Sequence, residues 1–253
     1  MNVIFQCDHH LGAITNAVKA DSHKHWMLQL FICAEDTLDI VVEGTRVSCK
    51  AVVVDMDTAH QFGTGGRTHC TMLIDPVSAI ARRLRSGYIR ERHFYVLPDD
   101  AAQALQEQLV RLIDNVTPVG LAQLIGQIDQ FFSPNSPMPD FDERVASVLA
   151  LLNGCSCEEK HQLRRLAEAV SLSESRLAHL FRAETGVPLK SYLVLHELQK
   201  AYAVLARGGS VTEAALVAGF NSPSHLAYTN RKMTGMSASG IMKDSEFLKV
   251  SFS

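Results

Sequence analysis

Four residues near the start of the chain have the types and spacing of a metal or effector site. His23 and His25 alternate, Gln29 follows four residues later, and His60 closes the stretch Asp57-Thr58-Ala59-His60. Alternate side chains of an extended strand share a face, about 7 Å apart over two residues. His23, His25 and Gln29 are therefore expected on one surface, to which His60 returns. Imidazole nitrogen and carbonyl oxygen suit divalent Zn, Ni, Fe or Mn, while the same groups could line a polar pocket for a small-molecule effector. A glutamine in place of a carboxylate favours the pocket. His69-Cys70 could supplement the site, and Cys155-x-Cys157 offers two thiols that do not by themselves complete a tetrahedral set. The glycine-rich Gly63-Thr64-Gly65-Gly66 is expected in a hairpin, without the helix and lysine of a phosphate loop. With no nucleophile elbow or acid pair, no catalysis is expected.

A second chemistry is repeated in the last third. Two short helices joined by a tight turn, the second capped by serine, occur twice, first with Ser173 and then with Ser222 as the cap. Each second helix carries apolar residues on one side and a polar set on the other. The sets are Ser175, Arg176, His179 and Arg182, then Ser224, His225, Tyr228 and Arg231. In a helix-turn-helix such side chains reach base edges in a major groove while the basic ones meet phosphates. A plain helical hairpin with a solvated outer face has the same pattern.

The elements that must position these groups differ between the two halves. From Ile14 to Pro76, short segments rich in Val, Ile, Leu and Thr predict strands over 26–33, 37–43, 45–54 and 70–75, hence an antiparallel barrel or sandwich. Four apolar residues run together at 51–54, as in a strand covered on both faces. Beyond Pro76 the period lengthens. Ala101, Leu105, Leu109 and Leu112 share one helix face that Asp99 or Asp100 can cap, and Leu121, Leu124, Ile125, Ile128 and Phe132 form a second. These stripes either cover the barrel or form a dimer surface. Three prolines in Ser133 to Asp140 mark a linker. Helices are predicted over 141–152, 158–170, 173–185, 188–206, 211–218 and 222–233. The helix at 188–206, about 28 Å long, would space two readers by nearly the roughly 34 Å between successive major-groove faces.

Residues 141–241 resemble the DNA-binding domain of the AraC/XylS family of bacterial transcriptional regulators. The resemblance rests on Asp142, Arg144-Val145, Leu166-Ala167, Ser173, Leu177, Leu180-Phe181, Gly186, Tyr192-Leu193, Leu198, Ala201, Leu205, Val211, Ala215, Gly219-Phe220, Ser224-His225 and Gly235. It implies two helix-turn-helix units joined by a long helix, and it adds Ala178 and Ser222 to the base-facing positions. Glu197, Asn230 and Ala238 depart from the family pattern, which usually has Arg, an aromatic and Pro there. An unpaired amide at Asn230 would cost about 1 to 3 kcal/mol, so the second unit is expected to be looser and to contribute less to specificity. Residues 22–66 resemble the cupin-like sensor barrel that many such regulators carry.

The expected organisation is therefore α+β and multidomain: a cupin-like sensor barrel (1–98), a helical dimerisation segment (99–133), a linker (134–140) and an all-α double helix-turn-helix domain (141–253). The expected function is sequence-specific transcription regulation by a homodimer on double-stranded promoter DNA, with RNA polymerase as a further partner and a small molecule or metal as effector. The alternative is a cupin-type metalloenzyme using His23, His25 and His60. Across the whole chain 24 basic residues face 27 acidic ones, a net charge of −3 that argues against a polyanion partner. Counted by halves, residues 1–149 hold 12 Lys and Arg against 18 Asp and Glu, and residues 150–253 hold 12 against 9. An acidic sensor and a modestly basic reader result, and so small a surplus implies few phosphate contacts per protomer. Neither a secretory signal nor an apolar run near the roughly 18 residues of a membrane span is present, so a cytoplasmic protein with no membrane partner is expected.

Overall fold

The computed structural model describes residues 2–7, 10–16, 19–63, 65–89, 92–133, 139–154, 163–234 and 246–250. The paired Cys155 and Cys157 and most of the proline-rich linker lie outside them. The amino-terminal half contains β1 (Asn2–Cys7), β2 (His10–Thr15), β3 (Lys19–His23), β4 (Leu28–Cys33), β5 (Leu38–Val42), β6 (Thr45–Cys49), β7 (Ala51–Val54), β8 (His60–Gly63), β9 (His69–Ile74) and β10 (Phe94–Val96). Among the described residues they form two open sheets, the sandwich form of the expected barrel or sandwich. One runs β10-β7-β4-β9-β2-β1 and ends on β11 (Glu246–Val250); the other runs β3-β8-β5-β6.

The segment 45–54, expected as one strand, divides at Lys50, so that β6 pairs with β5 in the small sheet and β7 with β4 in the large one. β5 and β6 form a hairpin whose turn puts Glu43 at φ 46 and Gly44 at φ 77, two successive left-handed residues that match the twist of the flanking strands. The glycine-rich stretch after Gly63 is no hairpin; it carries the chain from the small sheet to the large one.

Period-two alternation explains how the large sheet is covered on both faces. From β4, Leu28, Leu30 and Ile32 point one way, joined by Phe5, Ile14, Val53 and Met72, and pack under α2 (Asp99–Ile113) and α3 (Pro118–Phe131). Phe31 and Cys33 point the other way, with Val52 and Val54, against Ile40, Val42 and Phe62 of the small sheet. The apolar run at 51–54 is thus covered on both faces, as its composition implies. Buried Leu105, Leu109 and Leu112 of α2 and Leu121, Leu124, Ile125 and Ile128 of α3 cover the sheet, so both apolar stripes are used within the chain. Ala102 is buried in α2, whereas Ala101 stands at its flank. The helix starts after Pro98 without a side-chain cap, and Asp99 and Asp100 lie in its first turn, where they complement the helix dipole.

The small sheet covers only part of the inner face. Over β1, β2 and β9 its place is taken by the helical half, where Ile4, Leu11, Ala13, Met27, Met56 and Leu73 share one core with the carboxy-terminal helices. Buried Tyr192 donates its hydroxyl to buried Asp75 at 3.2 Å, and the Gln6 amide donates to the carbonyl of Gln199 at 3.3 Å. From α1 (Ala79–Arg83) the Arg82 guanidinium lies 4.1 Å from the centroid of the Phe141 ring.

Candidate nucleic-acid interface and histidine cluster

The helical half consists of α4 (Glu143–Gly154), α5 (Leu163–Ala169), α6 (Glu174–Thr185), α7 (Leu189–Leu205), α8 (Val211–Ala218) and α9 (Pro223–Thr234). Two turns in it are built alike. After α5, the amides of Ser171 and Leu172 return to the carbonyls of Glu168 and Ala167; after α8, those of Gly219 and Phe220 return to Leu216 and Ala215. This double bond set closes a helix on a left-handed residue, here Ser171 at φ 56 and Gly219 at φ 87. Leu172 is half-buried and Phe220 buried, and both pack into the domain core. Ser173 Oγ then accepts from the Arg176 amide, and Ser222 Oγ from the His225 amide, capping α6 and α9. Both units are helix-turn-helices.

An offset of 49 residues superposes the decoration of the two second helices. It takes Ser175, Arg176, His179 and Arg182 onto Ser224, His225, Tyr228 and Arg231, all exposed, and Leu177 onto Leu226, both buried. Ala178 is half-exposed, and Ser222 is half-exposed and engaged as a cap. His225 also serves the turn, since its Nδ1 accepts from the Asn221 amide at 3.5 Å and its ring meets Phe220 edge-on at 5.3 Å. Residues at i, i+1, i+4 and i+7 make one stripe along each helix. α7 joins the units. Ten of its seventeen residues are buried, so it is the hub of the half as well as a spacer of about 25 Å.

The same offset takes fully buried Phe181 onto Asn230. Asn230 is buried too, but its amide oxygen accepts from the Tyr202 hydroxyl at 2.6 Å, which overturns the expectation of an unpaired amide. A tyrosine–asparagine pair thus stands where the first unit packs Phe181 against Tyr192, at 5.3 Å between ring centroids. Asn230→Ala is expected to cost about 1 to 3 kcal/mol by stranding the Tyr202 hydroxyl, and Asn230→Ala with Tyr202→Phe to recover part of it. Urea unfolding of the three variants checks this; a double variant no more stable than the single one counts against the pairing.

The amino-terminal half touches the first reader directly. Gly186 ends α6 in the left-handed conformation, φ 77, and a Cβ built there would lie 2.7 Å from Met56 Cε and 2.9 Å from a guanidinium nitrogen of Arg85. Arg85 in turn pairs with Asp55 at 3.3 Å.

The histidines converge, though not from one strand. His23 ends β3 and stands in register with His60 of β8; His25 lies beyond the strand, and Gln29 belongs to β4 in the other sheet. The ring centroids of His23, His25 and His60 are 4.4 to 5.6 Å apart. Gln29 Oε1 lies 3.0 Å from His25 Nε2 and 2.8 Å from His60 Nε2, and its amide nitrogen donates to Thr71 Oγ1 at 2.8 Å. Burial lowers the pKa of His25 to about 3 and of His60 to about 4, and lowers that of His23. His69 and Cys70 stand apart from this cluster on opposite faces of β9. The His69 ring faces Phe62, while Cys70 joins the core beneath α2 and α3. Cys33, Cys49 and Cys70 are free thiols.

Where the small sheet meets the helical half, Gln29, Phe62, Thr71, Leu73, Tyr202 and Thr234 line a cavity of about 20 Å³. That is the size of one water, far below the roughly 300 Å³ and more of organic-ligand pockets.

Residues 166–244 match the family model described as a helix-turn-helix domain. No curated protein is matched by the sequence. Among solved structures, the chain is similar to apo ToxT from Vibrio cholerae strain SCE256, at 10% identity and a TM-score of 0.57, over 92% of this chain and 96% of that one. It is similar as well to ToxT of that strain with an unsaturated fatty acid bound, at 11% identity and a TM-score of 0.54, over 91% and 94%. Residues 166–244 are thus a helix-turn-helix domain, matching the AraC type, carried in a chain whose overall fold is similar to that of ToxT.

Proposed function

We propose that the protein is a sequence-specific transcription regulator that binds double-stranded promoter DNA through α6 and α9 and answers to an effector through its amino-terminal sheets. The observation that carries this reading is the doubled stripe, Ser175, Arg176, His179, Arg182 and Ser224, His225, Tyr228, Arg231, exposed on two equally built units. Ala178 and Ser222 add contacts at the starts of the same helices. The spacer of about 25 Å between the units approaches the roughly 34 Å from one major-groove face to the next. The reading involves no catalytic step and places the protein in the bacterial cytoplasm, beside RNA polymerase. Among the described residues no helix is long and apolar enough to cross a membrane.

A basic surplus of only three in the reader implies few phosphate contacts. Two protomers supply more, so the reading includes a homodimer. Because the apolar stripes of α2 and α3 face the sheet, the dimer would use their outer surface, where Ala101, Ala104, Gln127, Gln130 and Phe131 line a groove of about 260 Å³ and Val110 and Val119 are exposed.

Selection of bound fragments from sheared genomic DNA with the full-length chain would supply an operator. On it, His179→Ala and Tyr228→Ala are each expected to weaken binding by about 1 to 3 kcal/mol, and to comparable extents, since the pairing of Asn230 leaves no reason for a looser second unit. Fluorescence anisotropy over a salt series is the measurement. Absence of any enriched fragment, or operator affinity untouched by both substitutions, would sink the reading.

A further inference from the structure

We infer that His23, His25, His60 and Gln29 bind one divalent first-row transition-metal ion, of the Zn, Ni, Co or Fe class, between the two sheets. The ligating atoms available on the three histidines lie within 4.8 Å of one another, and Gln29 Oε1 sits within 3.0 Å of two of them.

The positions of the ring protons decide which nitrogens are bare. His60 Nδ1 lies 2.9 Å from the carbonyl oxygen of Thr58, and His23 Nδ1 lies 2.8 Å from that of Asp21. A carbonyl only accepts, so in both rings Nδ1 holds the proton and Nε2 presents a bare lone pair. Such a backbone tether on the far nitrogen is also how metal-ligating histidines are oriented. His60 Nε2 then faces Gln29 Oε1 at 2.8 Å, one acceptor against another. His23 Nε2 is a buried atom without a hydrogen-bond partner. His25 Nδ1 lies 3.1 Å from the Met27 carbonyl, and the tautomer that donates to it presents the Nε2 lone pair to the same point; the Met27 amide, 3.3 Å from Nδ1, serves the other tautomer. Turning the Gln29 amide about would let its NH₂ serve His60 and His25, but leaves nothing for His23 Nε2. A cation at the point of convergence meets all four donors.

Imidazole ligands must be neutral to bind metal. His25 and His60 are buried, a setting that disfavours the charged ring. Nitrogens bound at about 2.0–2.1 Å to a four-coordinate ion stand about 3.4 Å apart, which atoms within 4.8 Å of one another reach by closing at most about 1.4 Å. Three nitrogens and a neutral oxygen suit a borderline-soft ion better than Mg or Ca, which take oxygen sets. The inference does not depend on DNA reading by the helical half.

The test is a Co(II) titration of the full chain, first stripped with EDTA. Trp26 is the chain's one tryptophan and sits between His25 and Met27, packed against the core shared with the helices, so quenching of its emission reports an ion at this place. The expected result is about one Co(II) per chain, visible d–d absorption without a thiolate charge-transfer band, and release by Zn(II). His60→Ala is expected to weaken binding about 100-fold. Gln29→Glu, which replaces the amide by a carboxylate of similar size, is expected to tighten it, and keeps the test decisive if His60→Ala fails to fold. A folded wild-type chain that neither colours nor quenches, or binding that is the same in wild type, His23→Ala and Gln29→Glu, overturns the inference. Assaying the EDTA-treated sample for operator binding separates the two readings: DNA bound without a Co(II) response removes the metal site alone.

Discussion

Lowering the pH from 7 to 5 in the presence of EDTA is expected to remove about 5 to 6 kcal/mol of stability, and so to bring the amino-terminal half close to unfolding. His25, His60 and His69 are buried, and desolvation holds their pKa values at about 3, 4 and 4, against 6.5 for an exposed ring. Depressed histidine values mean that the rings stay neutral in the folded protein and take up protons on unfolding. The unfolded chain therefore binds more protons below pH 6.5, and stability falls as the pH falls. The contribution is fully present above 6.5 and is lost down to about 4, at about 1.4 kcal/mol per pH unit for each ring. By pH 5 that is about 2 kcal/mol per ring, or about 6 for three, against the 5 to 15 kcal/mol that a domain commonly has. Urea unfolding at the two pH values, followed by Trp26 emission, measures it. A difference under about 1 kcal/mol would mean that the rings are not held neutral.

Phe181→Ala is expected to cost about 3 to 5 kcal/mol and to abolish operator binding with it. Phe181 is fully buried, against Tyr192 and within the core that also holds Leu177, Leu166 and Val145. Removing the ring forfeits its transfer energy and leaves a cavity the helices cannot close. His179 lies on the opposite, solvent side of the same helix, so His179→Ala should leave stability within about 0.5 kcal/mol of wild type. Thermal unfolding beside operator binding separates them. If Phe181→Ala unfolds at the wild-type temperature, α6 does not depend on this core for its position.

The helical half is largely legible in the sequence, because local signals repeat there. Apolar residues at i, i+4 and i+7, serine caps at 173 and 222 and glycine stops at 186 and 219 each act within one or two turns of helix. The sheets were less legible. β1, β2 and β3 are separated only by single turn-type residues, Asp8 and Asn16, and β11 pairs parallel to β1 from the other end of the chain, a partner no local pattern can name. The segment 45–54 reads as one strand because its composition is uniform; only the need to serve two sheets divides it at Lys50. Alternation brought His23 and His25 together for the wrong reason, since His25 lies past the end of its strand.

Asn230 marks the limit of reading a pattern. A polar residue in an apolar stripe has no pairing until the fold brings a partner 28 residues away, and Tyr202 supplies it. The contacts of Met56 and Arg85 with Gly186, and of Asp75 with Tyr192, are of the same kind. Sequence alone determined the period of each half, the two capped helix pairs and the polar stripes that face solvent, because those follow from backbone geometry and burial within a few residues. Tertiary structure alone decided that the sheets stay open, that the helices fill the vacant part of the inner face, and that three imidazoles and an amide oxygen meet. Those depend on which distant surfaces exclude water together, and no stretch of chain carries that information by itself.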